Sequence, residues 1–93
     1  MFLHIGGDYV VSLRNIIAIM DLETTTISKD TKEFLKIAEE EGFVKSITEE
    51  IPKSFIITEI DKKSKIYLSP ISSITLQKRA RFLEEKAKIL RKV

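Results

Sequence analysis

The sequence predicts an α+β domain: a small antiparallel sheet built from two β-hairpins and a central strand, with one mid-chain helix and one long C-terminal amphipathic helix. Three observations carry this. Two apolar runs, "FLHI" and "YVVS", bracket Gly6-Gly7-Asp8. A second pair, Phe55–Ile60 and Lys65–Ser69, brackets Asp61-Lys62-Lys63-Ser64. Beyond Ser73 the apolar period changes, with Leu76, Ala80, Leu83, Ala87 and Leu90 spaced 4, 3, 4 and 3 apart. That is the spacing of a helical seam.

The elements follow in order. Glycine reaches positive φ without a steric penalty, so "GGD" reads as a hairpin turn. "SLRN" (12–15) joins the hairpin to the next strand as a tight turn or one helical turn. Ile16 to Leu22 is β-branched and nearly all apolar, and predicts a buried strand. Thr24, Thr25 and Thr26 form a polar loop. A helix fits residues 30–41. Asp30 and Glu33 have the spacing of a capping box, and Phe34, Leu35, Ile37 and Ala38 make its apolar stripe. Gly42 sits where a helix end favours a left-handed residue. Phe43 to Ile47 predicts a short strand, and Glu49 to Lys53 a loop in which Pro52 interrupts any regular ladder. Phe55–Ile60 and Lys65–Ser69 form the second hairpin, ended by Pro70. The last helix covers Ser73 to Lys92, about 30 Å at 1.5 Å per residue. Phe82, Ile89 and Val93 form a second apolar stripe, with Lys78, Arg81, Lys88 and Lys92 opposite.

Ninety-three residues make one domain. A chain of this size is near the lower end for independent stability, and many such chains gain stability by associating. The composition, 43% hydrophobic and 32% charged, is that of an ordinary folded protein rather than a disordered or membrane one. The longest apolar run, Ile16 to Met20, is far short of a membrane span. The N-terminus lacks the pattern of a signal peptide. The cytoplasm is therefore the expected compartment. There is no cysteine, which excludes disulfides and thiol catalysis.

The chemistry of an enzyme is not visible. Paired glycines before an acid occur in nucleotide cyclase sites, but those need a second metal carboxylate on a neighbouring strand, and Asp21 is the one early candidate. Dinucleotide and P-loop fingerprints are absent. His4 is the single histidine, too few for a zinc site, and no nucleophile elbow accompanies it. Glu39-Glu40-Glu41 and Glu49-Glu50 read as solvated charge. No catalytic residue, cofactor, metal or small-molecule substrate is expected. Tyr9 and Tyr67 are isolated in the sequence, which argues against a base-stacking platform.

Charge is distributed unevenly. Residues 1–77 carry nine basic and twelve acidic side chains, a net −3, whereas 78–93 carry seven basic and two acidic, a net +5. A basic end on an acidic domain is a footprint for a polyanion. It is equally the solvated face of a helix.

"HIGGDYVVSLRNIIAIMD", "IPKSFIIT" and "IYLSPISSITLQKR", in this order, resemble the extracellular matrix regulatory protein B (RemB) family, a sister of the DNA-binding RemA regulators of biofilm matrix genes. The likeness covers Phe2 to about Ala80. It divides the chain into a RemB-like domain, 1–80, and a basic extension of the C-terminal helix, 81–93. The resemblance implies a small cytoplasmic bacterial protein. RemA-like members form homo-oligomeric rings and bind DNA through arginines spread around the ring. Arg14 is the counterpart of one of these. In the loop where the sister group carries an arginine pair, this chain reads Glu50-Ile51, followed by Pro52-Lys53.

The reading is a non-enzymatic, self-associating transcription regulator of the extracellular matrix, with double-stranded DNA as the expected partner. The expected phosphate contacts are Arg14, Lys53, Lys78, Arg79 and Arg81. Leu76, Leu83 and Leu90 are the expected contacts between copies. The alternative is an oligomeric scaffold or protein-interaction module that binds no nucleic acid, its basic helix packed on a partner. A small-molecule sensor with a pocket between subunits is a third reading, which no sequence feature supports.

Overall fold

The computed structural model describes residues 1–23 and 28–91. The expected threonine loop at 24–26 and the expected helix residues Lys92 and Val93 lie outside them.

The chain begins with a hairpin of β1 (Phe2–Gly6) and β2 (Tyr9–Ser12). Leu3, Ile5 and Val11 turn inward and are buried. Gly6 and Gly7 adopt φ of +130° and +53°, a region costly for any residue with a Cβ. Gly6 is doubly constrained, because a Cβ there would lie 2.9 Å from Pro70 Cδ. His4 Nε2 donates to the Gly7 carbonyl at 2.7 Å, so the lone histidine braces the turn. "GGD" is thus a turn. One 3-10 turn, Leu13–Asn15, leads into β3 (Ile16–Asp21).

The first hairpin forms its own two-stranded sheet. A separate four-stranded sheet has the order β3-β5-β6-β4, where β4 is Val44–Ser46, β5 is Ser54–Ile60 and β6 is Lys63–Ser69. Two details differ from the sequence reading. The strand expected at the centre, β3, lies at an edge, and Ile17 is 59% exposed. The sheet is also not wholly antiparallel, because β4 pairs with β6 in parallel. The second hairpin turns tightly on Asp61-Lys62, both at positive φ (51° and 67°). This matches the handedness of a two-residue hairpin turn. Without glycine to mark it, the sequence suggested a longer turn and a later start for β6.

Helix α1 (Lys29–Glu40) is capped by Ser28, whose Oγ accepts from Thr31 N at 3.1 Å, not by Asp30 as the spacing suggested. Gly42, at φ +80°, ends it as expected. Helix α2 (Ser73–Arg91) starts from Ser72, whose Oγ accepts from Thr75 N. No helix among the described residues is long and apolar enough to cross a membrane.

The four-stranded sheet is covered on both faces. Against one lies α1, with Ala38, Phe55 and Ile66 buried together. Against the other lie the first hairpin and α2, with Leu3, Ile5, Val11, Ile56 and Leu76 forming the larger core. Strand alternation sends Phe55 and Ile56 to opposite faces, so β5 contributes to both. Buried hydroxyls tie these layers. Ser69 Oγ donates to the Ile5 carbonyl at 2.6 Å and accepts from Ile71 N at 3.0 Å, while Ser54 Oγ donates to the Ile71 carbonyl at 2.7 Å. Among the described residues every buried side-chain N or O has a partner.

Candidate nucleic-acid interface

The buried face of α2 is set by Leu76, with no accessible surface, and by Ala80 and Leu83 beside it. Docking these residues on β1 and β3 leaves the opposite face outward. Lys78, Arg79, Arg81, Lys86 and Lys88 are all exposed there or on its flanks. Arg79 leans toward the first hairpin, its Nη1 3.5 Å from the His4 carbonyl. Arg81 lies on the other flank and lines a groove between α2 and β3 with Ile17, Ala18, Gln77 and Glu84. At about 100° per residue, the helical position of Lys78 falls between theirs. The three side chains fan across one exposed cylinder instead of meeting at a point.

Arg14 is brought close to this helix. It is exposed in the 3-10 turn and shares a groove with Phe2, Glu84, Ala87 and Lys88. Lys53 is not. It precedes β5 next to the Asp21–Ser54 end of the sheet, where its carbonyl accepts from Leu22 N. Arg14 stands beyond the opposite end of β3, roughly 20 Å away at ~3.4 Å per residue. The structure therefore gathers four of the five expected cations near α2 and leaves Lys53 apart.

The expected seam between copies divides in the same way. Leu76 belongs to the core of its own chain, so it is unavailable to another copy; that part of the expectation is corrected. Leu83 is partly buried against the same core. Leu90 alone of the three is well exposed, at 67%. The apolar side chains that α2 does present are Ile74, Phe82, Ile89 and Leu90, and Lys86 Nζ lies 5.0 Å from the Phe82 ring centroid.

A second cationic group escaped the sequence reading. Tyr9 and Tyr67, isolated in the chain, come together with ring centroids 6.3 Å apart and planes tilted by 50°. Lys45 Nζ lies 5.0 Å from the Tyr9 centroid and Lys65 Nζ 5.8 Å from that of Tyr67. Both are cation–π distances. Tyr9, as hydrogen-bond partner, raises the Lys45 pKa above its usual value. The group is assembled by the parallel pairing of Lys45 with Tyr67 and by the hairpin carrying Tyr9 over the sheet. No local pattern announces a parallel pairing, so the sequence held no signal for it.

No cluster of three or more metal-ligating side chains exists among the described residues, and the carboxylates at 39–41 and 49–50 are exposed.

The chain is similar to known proteins of one kind. A family model, RemA-like, described as extracellular matrix regulatory protein A-like, matches residues 2–80. The extracellular matrix regulatory protein B of Bacillus subtilis (strain 168) is 41% identical over 85 residues, covering 91% of this chain and 96% of that protein. Residue 80 falls inside α2, which continues to Arg91.

Proposed function

The chain belongs to the RemA-like family of extracellular matrix regulatory proteins, and from that premise we propose that it is a non-enzymatic regulator of the extracellular matrix that self-associates and binds double-stranded DNA in the cytoplasm. The observation that carries this is the outward face of α2, with Arg14 beside it. Lysine and arginine on a convex helix suit phosphates, which position a protein on a duplex without reading bases. One copy neutralises only a few phosphates, so affinity would come from repetition across an assembly. Exposed Ile17 and Met20 on the edge strand β3 supply an apolar surface for that assembly.

A specific observation also favours a scaffold without nucleic acid. Ile51, in the loop where the sister group carries arginine, is 89% exposed, and Phe82 on α2 is 57% exposed. Such residues suit a protein partner. Sedimentation with and without a mixed-sequence duplex, at low and high salt, separates the readings. The DNA reading expects a mass above the monomer and log affinity falling with log salt by about 0.9 per phosphate contacted. It also expects a flatter slope when Lys78, Arg79 and Arg81 are replaced by alanine. A compact monomer, or no duplex binding at low salt, overturns it.

A further inference from the structure

We propose that Lys45, Lys63 and Lys65, with the Tyr9–Tyr67 pair, form a second DNA-backbone contact surface, separate from α2. This rests on the reading that the chain binds DNA. Lys63, Lys65 and Tyr67 alternate along β6 and so share one face of the sheet. Lys45 is the cross-strand partner of Tyr67 on the edge strand β4. The face carrying them is the one the first hairpin covers, because Tyr67 packs against the core of that side. The hairpin closes over the group only as far as Tyr9. Lys45, Lys63 and Lys65 remain exposed beyond it.

The surface continues into a groove at the end of the second hairpin, lined by Phe43, Ile60, Lys62, Lys63, Ser64 and Lys65, with Asp61 the one acid on it. Charge complementarity selects the occupant. Lys62, Lys63 and Lys65 line this groove against Asp61 alone, and Lys45 stands on the neighbouring edge strand; that balance calls for a polyanion. Lysine ammonium groups and tyrosine hydroxyls are both phosphate-positioning donors. The rings hold the Lys45 and Lys65 ammonium groups in place at the surface, which lowers the ordering cost of a phosphate contact. Because β4 and β3 are opposite edges of the sheet and α2 packs on β1 and β3, this surface and α2 point at different stretches of nucleic acid.

Two tyrosines and no tryptophan occur in the chain, and both tyrosines belong to this surface. Protein labelled with 3-fluorotyrosine therefore gives two fluorine resonances that report on it alone. Titration with a short mixed-sequence duplex should move both. The Lys45→Gln, Lys63→Gln, Lys65→Gln variant, checked by circular dichroism, should lose about 0.9 from the salt slope for each lysine that had neutralised a phosphate. The variant with Lys78, Arg79 and Arg81 replaced should keep the fluorine shifts. If the unmodified protein binds duplex but the fluorine signals stay still and the lysine variant keeps its slope, this surface is refuted while the DNA reading stands. If the unmodified protein binds no duplex at low salt, both fall. Fluorine shifts on adding phosphatidylserine vesicles and none with duplex would overturn the assignment to DNA.

Discussion

The two cationic surfaces are built by opposite routes. The α2 surface draws its basic residues from one short segment, 78–88, and the helix's own periodicity presents them, with Arg14 added from the 3-10 turn. The lysine–tyrosine surface draws on residues 9, 45, 63, 65 and 67, and exists only because a hairpin, an edge strand and a second hairpin meet. The difference shows where each is vulnerable. The α2 surface depends on one apolar stripe gripping the sheet. The other depends on the seat of the first hairpin, where Gly6 lies against Pro70 and Ser69 binds the Ile5 carbonyl.

Leu76→Ala removes a fully buried side chain of the main core and should destabilise the protein by about 3 kcal/mol, as for other buried leucines, measured by urea unfolding. In the folded fraction the Tyr9–Tyr67 pair should survive, while hydrogen exchange in α2 accelerates. If α2 is the less affected of the two, its dependence on this stripe is wrong.

Gly6→Val acts on the other surface. A branched residue at φ +130°, with its Cβ pressed on Pro70, should cost about 2 kcal/mol. The hairpin would shift and the rings of Tyr9 and Tyr67 would separate, read as loss of the nuclear Overhauser contact between them. The helicity of α2 should stay unchanged. An undisturbed ring pair in this variant would mean that the hairpin seat does not position Tyr9.

The smallest effect sharpens the link between Lys45 and Tyr9. Tyr9 raises the Lys45 pKa above 10.5, so in Tyr9→Phe the Lys45 titration, followed by NMR, should fall back toward that value. A folded pKa raised above the unfolded one gives a contribution present below the unfolded value and lost as pH rises through the folded value. At neutrality Lys45 is charged and the contribution is fully present; only its loss falls at strongly alkaline pH. An unchanged titration would remove Tyr9 as the cause.

Much of the chain was legible because its signals are local. Gly6-Gly7-Asp8 dictated a turn by the steric rule for positive φ. The 4-3-4-3 spacing of Leu76 to Leu90 dictated a helix with one apolar side. Arg79 and Arg81 were visible as part of a basic run. Family membership was legible too, in three motifs that keep their order along the chain.

Other features were decided by long-range pairing, which no local period encodes. Strand β3 is as apolar as a central strand, yet it lies at an edge, because β5 is its one neighbour in the sheet and the first hairpin forms a sheet of its own. Leu76 and Leu90 share a seam, yet one is core and the other is exposed, because the core packs on Leu76, Ala80 and Leu83 and Leu90 lies beyond them. Tyr9 and Tyr67 lie 58 positions apart in the sequence, and only the fold makes them neighbours. Sequence by itself determined which segments form helices, turns and strands, since those depend on backbone sterics and apolar period. Tertiary structure decided which cations stand together, since that depends on which strand finds which partner.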